Sequence, residues 1–302
     1  MLIAPLDNDS VVIASLPDSG SGHVYESVDL QPGGGISALP DIAGPDCQGG
    51  VGRRLTAAHE PHVIAVEFDC PPFPNDYYLV EVDVDTGQSV STTPTSTGVP
   101  TQPISKLSAV GPGRYLAVVG GSSSSLAIIA TGVGLMSAEV VGLDDLSWDP
   151  MQAFTGESCH TSVSGAFSNV AVNPTGTHAL VILVNPTGHP VRGTGVLRTA
   201  EVADTALLFD TIEYSDSPIV AAAWVGDCIA AVTADNGTHH LLTYMGGSLE
   251  AEVKIDAPGF PIAIAALNDS TTVVVGWTTV DQDGTLQTYR LQENCGQTSG
   301  TN

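Results

Sequence analysis

The chain has 302 residues, 42% hydrophobic and only 14% charged, enough apolar material for a large core and unlike a disordered composition. Lys and Arg number 8 against 33 Asp and Glu, a formal net charge of −25 that repels phosphate backbones and argues against a nucleic-acid partner. No apolar run approaches the roughly 18 to 20 residues of a membrane helix, so membrane insertion is not expected.

Taken in chain order, short β-branched and aliphatic runs alternate with turn residues. Residues 2–6, 11–16 and 23–30 form a first set of predicted strands, separated by Asp7-Asn8-Asp9 and Asp18-Ser19-Gly20-Ser21-Gly22. A second set is 54–58, 63–69, 77–84 and 88–92, and a third is 107–110, 115–120, 126–130 and 137–141. The fourth begins at Val170 and continues through 180–184, 195–202 and 207–214. The fifth is the most regular, with strands at 218–225, 228–233, 239–245 and 249–255, and three more lie between Phe260 and Gln292. The Gly-, Pro-, Ser- and Thr-rich stretches 31–50 and 91–103 read as long inter-strand loops, and 145–154 as a helical turn at most.

One phrase occurs twice, Asn173-Pro174-Thr175-Gly176 and Asn185-Pro186-Thr187-Gly188, followed within two residues by His178 and His189. It fits a type I turn: Asn accepts a backbone N–H, Pro presets φ, and Gly tolerates positive φ at the last position. The two glycines are therefore expected to matter for backbone shape and the two histidines to be dispensable.

Four strands per unit, recurring about every 40 to 50 residues, predict an all-β chain folded as a single β-propeller of six, or seven, four-stranded blades. One meander cannot bury both faces, whereas a ring of them can. The propeller is expected to span residues 1–295, with 296–302 as a C-terminal tail, and ring closure is expected to pair the strand near 2–6 with an incomplete last blade. Two consecutive β-sandwiches are the competing architecture; they share the turn rhythm but do not predict the four-strand module from Pro218 to Ile255.

The run Asn169-Val170-Ala171-Val172-Asn173-Pro174-Thr175-Gly176, followed by Ala179-Leu180-Val181-Ile182, resembles the strand–turn–strand phrase of WD40-like and YVTN-type propeller repeats. Tyr78 to Gly87, ending in Asp83-Val84-Asp85-Thr86-Gly87, resembles the strand with a terminal Asp-x-x-Thr-Gly turn in the same repeats. Trp148-Asp149 is a single occurrence of the dipeptide that true WD40 repeats reiterate. The resemblance is to the β-propeller superfamily and implies a non-enzymatic binding or scaffold module that recognises a protein or another ligand on one face. The alternative is a propeller enzyme of the lactonase or lyase type, which needs a His and acid cluster on the channel axis with a divalent metal.

The search for chemistry narrows the candidates. Gly-x-Ser-x-Gly, phosphate-loop, dinucleotide and zincin patterns are all missing, so no cofactor is expected beyond that cation. His59-Glu60-Pro61-His62 places two imidazoles and a carboxylate within four residues, a set that could ligate a metal or act in catalysis. Pro61 breaks the helix that would align them, and on an extended chain His59 and His62 point apart. His160 is the further candidate; its neighbour Cys159 is adjacent, so those side chains diverge. His239-His240 reads as one ring in and one out across a strand, Asp281 to Gly284 as a hairpin turn, and Trp148, Trp224 and Trp277 as core.

Cys47, Cys70, Cys159, Cys228 and Cys295 are widely spaced, against a zinc ribbon or a Cys-x-x-Cys redox pair. Two disulfides with one free thiol, or five thiols, are both compatible with this spacing, and Cys47–Cys70 is the expected pair if oxidised. Scarce lysine and Ser/Thr/Gly-rich loops lean toward an exported or cell-surface setting, with a cytoplasmic one as the alternative.

Overall fold

The computed structural model describes residues 2–5, 10–14, 25–29, 36–38, 40, 45, 51–70, 76–95, 104–119, 125–137, 139–141, 167–183, 195–204, 206–215, 217–235, 237–257, 259–267, 271–279, 284–291 and 298–300. They form six antiparallel meanders. The first is β1 (Leu2–Pro5), β2 (Ser10–Ala14), β3 (Tyr25–Asp29) and β4 (Ile36–Ala38); the second is β5 (Val51–Ala57), β6 (Val63–Cys70), β7 (Asp76–Asp83) and β8 (Ser89–Pro94). The third is β9 (Ile104–Gly111), β10 (Arg114–Val119), β11 (Ser125–Ala130) and β12 (Gly134–Ser137). A short β13 (Glu139–Val141) then leaves for the fourth sheet, completed by β14 (Phe167–Val172), β15 (His178–Leu183), β16 (Gly195–Val202) and β17 (Ala206–Ser215). The fifth is β18 (Ile219–Val225), β19 (Cys228–Asp235), β20 (Thr238–Met245) and β21 (Ser248–Ile255); the sixth is β22 (Phe260–Ala266), β23 (Thr272–Thr278), β24 (Gly284–Leu291) and β25 (Thr298–Gly300).

The first strand of each meander lies against that of the next, β1 to β5, β9, β14, β18 and β22, and β22 returns to β1. The chain is therefore a single β-propeller. Its four-stranded blades number five, not six or seven, because the remaining sheet has five strands: β13 runs parallel to β17 along its outer edge. Ring closure also departs from expectation. β1 pairs with β2 inside its own blade, and β25 supplies the fourth strand of the last sheet, so no strand is exchanged across the closure. The stretch 31–50, expected to be loop, contains β4. Too few apolar residues mark β4 and β25 for a pattern to show, and their three residues each are placed by the strand they pair with. The strand expected at 137–141 is present as β13, but it joins the fourth sheet, and β12 is the fourth strand of the third.

The continuous apolar runs have a geometric reason. A blade is buried on both faces, so alternate residues of one strand feed two different cores. Along β10, Tyr115 and Ala117 pack toward the second blade with Ala65 and Leu79. Leu116 and Val118 turn the other way, onto Val170 and Val181 of the fourth. β15 repeats this, with Ala179 and Val181 in one core and Leu180 and Ile182 in the next.

Charge also joins blades. Arg54 and Glu67 sit directly opposite on β5 and β6. Glu67, fully buried, accepts the Ile104 N–H at 2.8 Å, while Arg54 Nε donates to the Ser105 carbonyl at 2.8 Å. Two opposite charges of one blade thus hold the first two residues of the next. Deeper between the same blades, Glu81 accepts hydrogen bonds from Tyr115 Oη and Ser91 Oγ, both at 2.5 Å.

Both turn readings that fall on described residues hold. Asn173 Oδ1 accepts the N–H groups of Thr177 and His178 at 2.9 and 3.0 Å, and Gly176 has φ +75°. Asp83 Oδ1 accepts both the N–H and the hydroxyl of Thr86 at 2.9 Å, which holds its carboxyl below the usual range. The second copy, Asn185 to Gly188, lies outside the described residues, as do Trp148, residues 145–154 and Asp281 to Asp283.

Candidate functional site

The inner strands enclose a central cavity of about 960 Å³. Its described wall comes from β5, β9, β14, β18 and β22 and has two characters. The second to fourth sheets contribute Arg54, Lys106, Ser108 and Asn169, whereas the fifth and sixth contribute alanines, Trp224 and Ile264.

The hairpin joining β5 to β6 carries His59-Glu60-Pro61-His62 to one mouth of this cavity. The sequence leaves these residues little choice: Pro61 prevents helix, and the hairpin closes through Ala58 N–H to the Val63 carbonyl at 2.9 Å. His62 takes φ +59°, the only non-glycine among the described residues with positive φ. Its Nδ1 lies 3.0 Å from Asp85 Oδ2, in the turn after β7. The His62 carbonyl also accepts the Val84 N–H at 2.9 Å, so ring and backbone are fixed by the same neighbour. His59 and Glu60 are exposed at the rim.

Thus the structure brings His59, Glu60 and His62 together on one loop lining the cavity mouth. Among the described residues no three His, Cys, Asp or Glu side chains are grouped to hold a metal ion. His160 and Cys159 lie outside the described residues.

Other sequence candidates separate as expected or acquire new surroundings. His239 is buried edge-on against Trp277, with ring centroids 5.4 Å apart, while His240 faces outward to Glu252. Trp277 is core, but Trp224 is half-buried and lines the cavity. Arg54 is on the cavity wall, whereas Arg114 donates to the Asp204 carbonyl at 2.7 Å. Cys70 and Cys228 are each disulfide-bonded; Cys47, the expected partner of Cys70, lies outside the described residues.

Lys106 is the functional candidate that sequence reading missed. Its pKa is held below the ordinary lysine value, first by burial and then by repulsion from Arg54. The available signal was that one of only two lysines, Lys106 and Lys254, interrupts an otherwise uncharged strand.

No family model and no curated protein matches the chain. Solved structures do. The β-propeller domain of Cps50 (Swd1) from Myceliophteria thermophila aligns with TM-score 0.51 and 10% identity, covering 94% of each chain. A chain of the mitotic checkpoint complex aligns with TM-score 0.52 and 10% identity, over 100% of this chain and 78% of that one. A putative 6-phosphogluconolactonase from Bacteroides uniformis aligns with TM-score 0.52 and 12% identity, over 98% and 96%. At these identities the likeness is one of fold.

Proposed function

We propose that the chain is a non-enzymatic recognition module whose partner is a protein, bound at the cavity mouth carrying residues 58–62. The observation that carries this is the state of the loop: His59 and Glu60 project to solvent, and His62 is spent on holding the loop against Asp85. A lactonase or lyase site would need those groups turned inward around a reacting carbonyl or cation. A preorganised polar loop at the rim suits recognition, since little ordering entropy is lost on binding. The net charge of −25 favours a partner with a basic surface. The alignment with a chain of the mitotic checkpoint complex supports a binding role, and that with a putative lactonase supports the alternative. Disulfide-bonded Cys70 and Cys228 support an exported or cell-surface setting.

The test uses the chain as bait beside a His59→Ala, Glu60→Ala double variant, with lactone hydrolysis assayed in parallel with and without divalent cations. The expected outcome is a partner retained by the wild type and lost by the variant, with no lactone turnover. Cation-dependent turnover that His62→Ala abolishes would replace this reading with the enzymatic one.

A further inference from the structure

We infer that the central channel is a binding site for a small organic anion, a carboxylate or phosphate monoester on an apolar body, with Lys106 as its principal counter-charge. This goes beyond recognition at the rim and does not depend on it.

Lysine is rarely buried unless paired, because removing an ammonium from water costs several kcal/mol in effective terms. Lys106 is half-buried on the channel wall, opposite Val118 in register. Among the described residues it makes no hydrogen bond or ion pair, although the chain holds 33 carboxylate side chains. Burial is the first cause that lowers its pKa, and a second cation, Arg54, adds to it.

Arg54 does not need Lys106 for its own placement. It faces Glu67 across the strand pair and donates through Nε to the Ser105 carbonyl. The excess charge is therefore that of Lys106. In a protein this acidic, a cavity-wall cation that pairs with no acid among the described residues is a position suited to an anion from outside.

The rest of the wall defines what that anion carries. Asn169, buried on the next inner strand, spends Oδ1 on the Val170 N–H at 2.8 Å, which leaves its amide hydrogens as donors. Trp224, half-buried, adds its indole to the wall. The rest of the wall includes Thr56, Ser108, Ile264 and several alanines, with Glu60 at the mouth. Cationic and amide donors on one side and an apolar, indole-bearing surface on the other suit an amphipathic anion. The volume of about 960 Å³ accommodates a metabolite-sized one.

The chain contains only two lysines, which makes the test specific. Trace acetylation followed by peptide mass spectrometry reads Lys106 and Lys254 separately in the intact protein. Phenyl phosphate and benzoate are the probes, with sodium chloride at matched ionic strength as control. At least one probe is expected to slow acetylation of Lys106 about tenfold while leaving Lys254 unchanged; which probe protects better distinguishes phosphate from carboxylate. By calorimetry, Lys106→Met should weaken binding of that probe about tenfold or more, as loss of a charge-assisted hydrogen bond does. Lys106→Arg should bind within about threefold of wild type, since the charge remains. Unchanged acetylation with both probes, or equal protection by chloride, overturns the proposal. If Lys106→Met fails to fold, the wild-type acetylation result decides alone.

Discussion

Replacing Gly176 with alanine separates two costs that coincide at this turn. The residue has φ +75°, and a Cβ built on it would lie 1.8 Å from the Val110 carbonyl oxygen and 3.0 Å from its carbon. Val110 belongs to the neighbouring blade, so the Asn-Pro-Thr-Gly turn is pressed against the ring and not simply exposed on it. The left-handed conformation alone costs about 1–2 kcal/mol in a non-glycine residue. Moving a backbone carbonyl away adds about 1–3 kcal/mol, the usual range for overpacking. The sum, about 2–5 kcal/mol, corresponds to a drop in Tm of roughly 3–8 °C in a chain of this size. Two other glycines isolate the terms. Gly237 has φ +81° with nothing within 4 Å, so Gly237→Ala carries the conformational cost only. Gly259 has no left-handed φ, but its Cβ would meet the Thr278 carbonyl oxygen at 2.1 Å, so Gly259→Ala carries the collision. Thermal melts of the three variants are expected to show Gly176→Ala as the most destabilised. Equal melting of Gly176→Ala and Gly237→Ala would refute the collision between blades. His178 touches only the Thr177 hydroxyl through its ring, and His178→Ala should stay within about 0.5 kcal/mol of wild type.

Other expectations follow from the buried polar groups. Tyr115→Phe removes the donor to Glu81 and should cost about 1–3 kcal/mol by urea titration, more than Tyr289→Phe, whose hydroxyl reaches only the Gln287 side chain. No difference between the two would deny the Tyr115–Glu81 contact its role. Burial, then Asp256, pushes Tyr289 up to about 12, and burial, then Glu81, raises Tyr115 further. Unfolded tyrosines ionise near 10, so this stability is complete below about pH 10 and is lost at about 1.4 kcal/mol per pH unit per tyrosine as pH rises beyond it. Lys106 acts in the opposite sense, its lowered pKa adding stability as pH climbs, but only up to its unfolded value of 10.5. Urea midpoints measured above that value should therefore fall, and a Tyr115→Phe, Tyr289→Phe double variant should fall less; a flat midpoint in the wild type contradicts the buried hydroxyls. Of the five cysteines, Cys70 and Cys228 are oxidised, so thiol titration of the unfolded, unreduced chain should find at most three free thiols. Five would exclude the disulfides.

The strands and their turns were legible because each is a local matter. β-branched runs bounded by Asn173-Pro174-Thr175-Gly176 or Asp83 to Gly87 need no distant partner to declare themselves. β4 and β25 carry too short a pattern and exist through pairing, and β13, legible as a strand, owes only its place in the fourth sheet to its partner. The channel was illegible for another reason. Arg54, Lys106 and Asn169 are more than 50 residues apart in sequence and converge only because their strands share the inner position of successive sheets. His59, Glu60 and His62, adjacent in sequence, looked like a site. The hairpin places them at the cavity mouth, with His59 and Glu60 exposed and His62 held against Asp85.

Because each blade is made of consecutive strands, the ring has a seam. Where β22 meets β1, two inner strands lie side by side without sharing a hydrogen-bonded ladder. Apart from β13 with β17, every within-sheet pairing spans a short stretch of chain, whereas this junction joins residues near positions 2 and 266. In mechanical terms the molecule is a split washer. Tension applied between the first and last strands loads the seam before any ladder, so the ring should part there while its blades stay folded. A polymerising ribosome meets the same asymmetry, since the seam forms only after the sixth sheet has emerged.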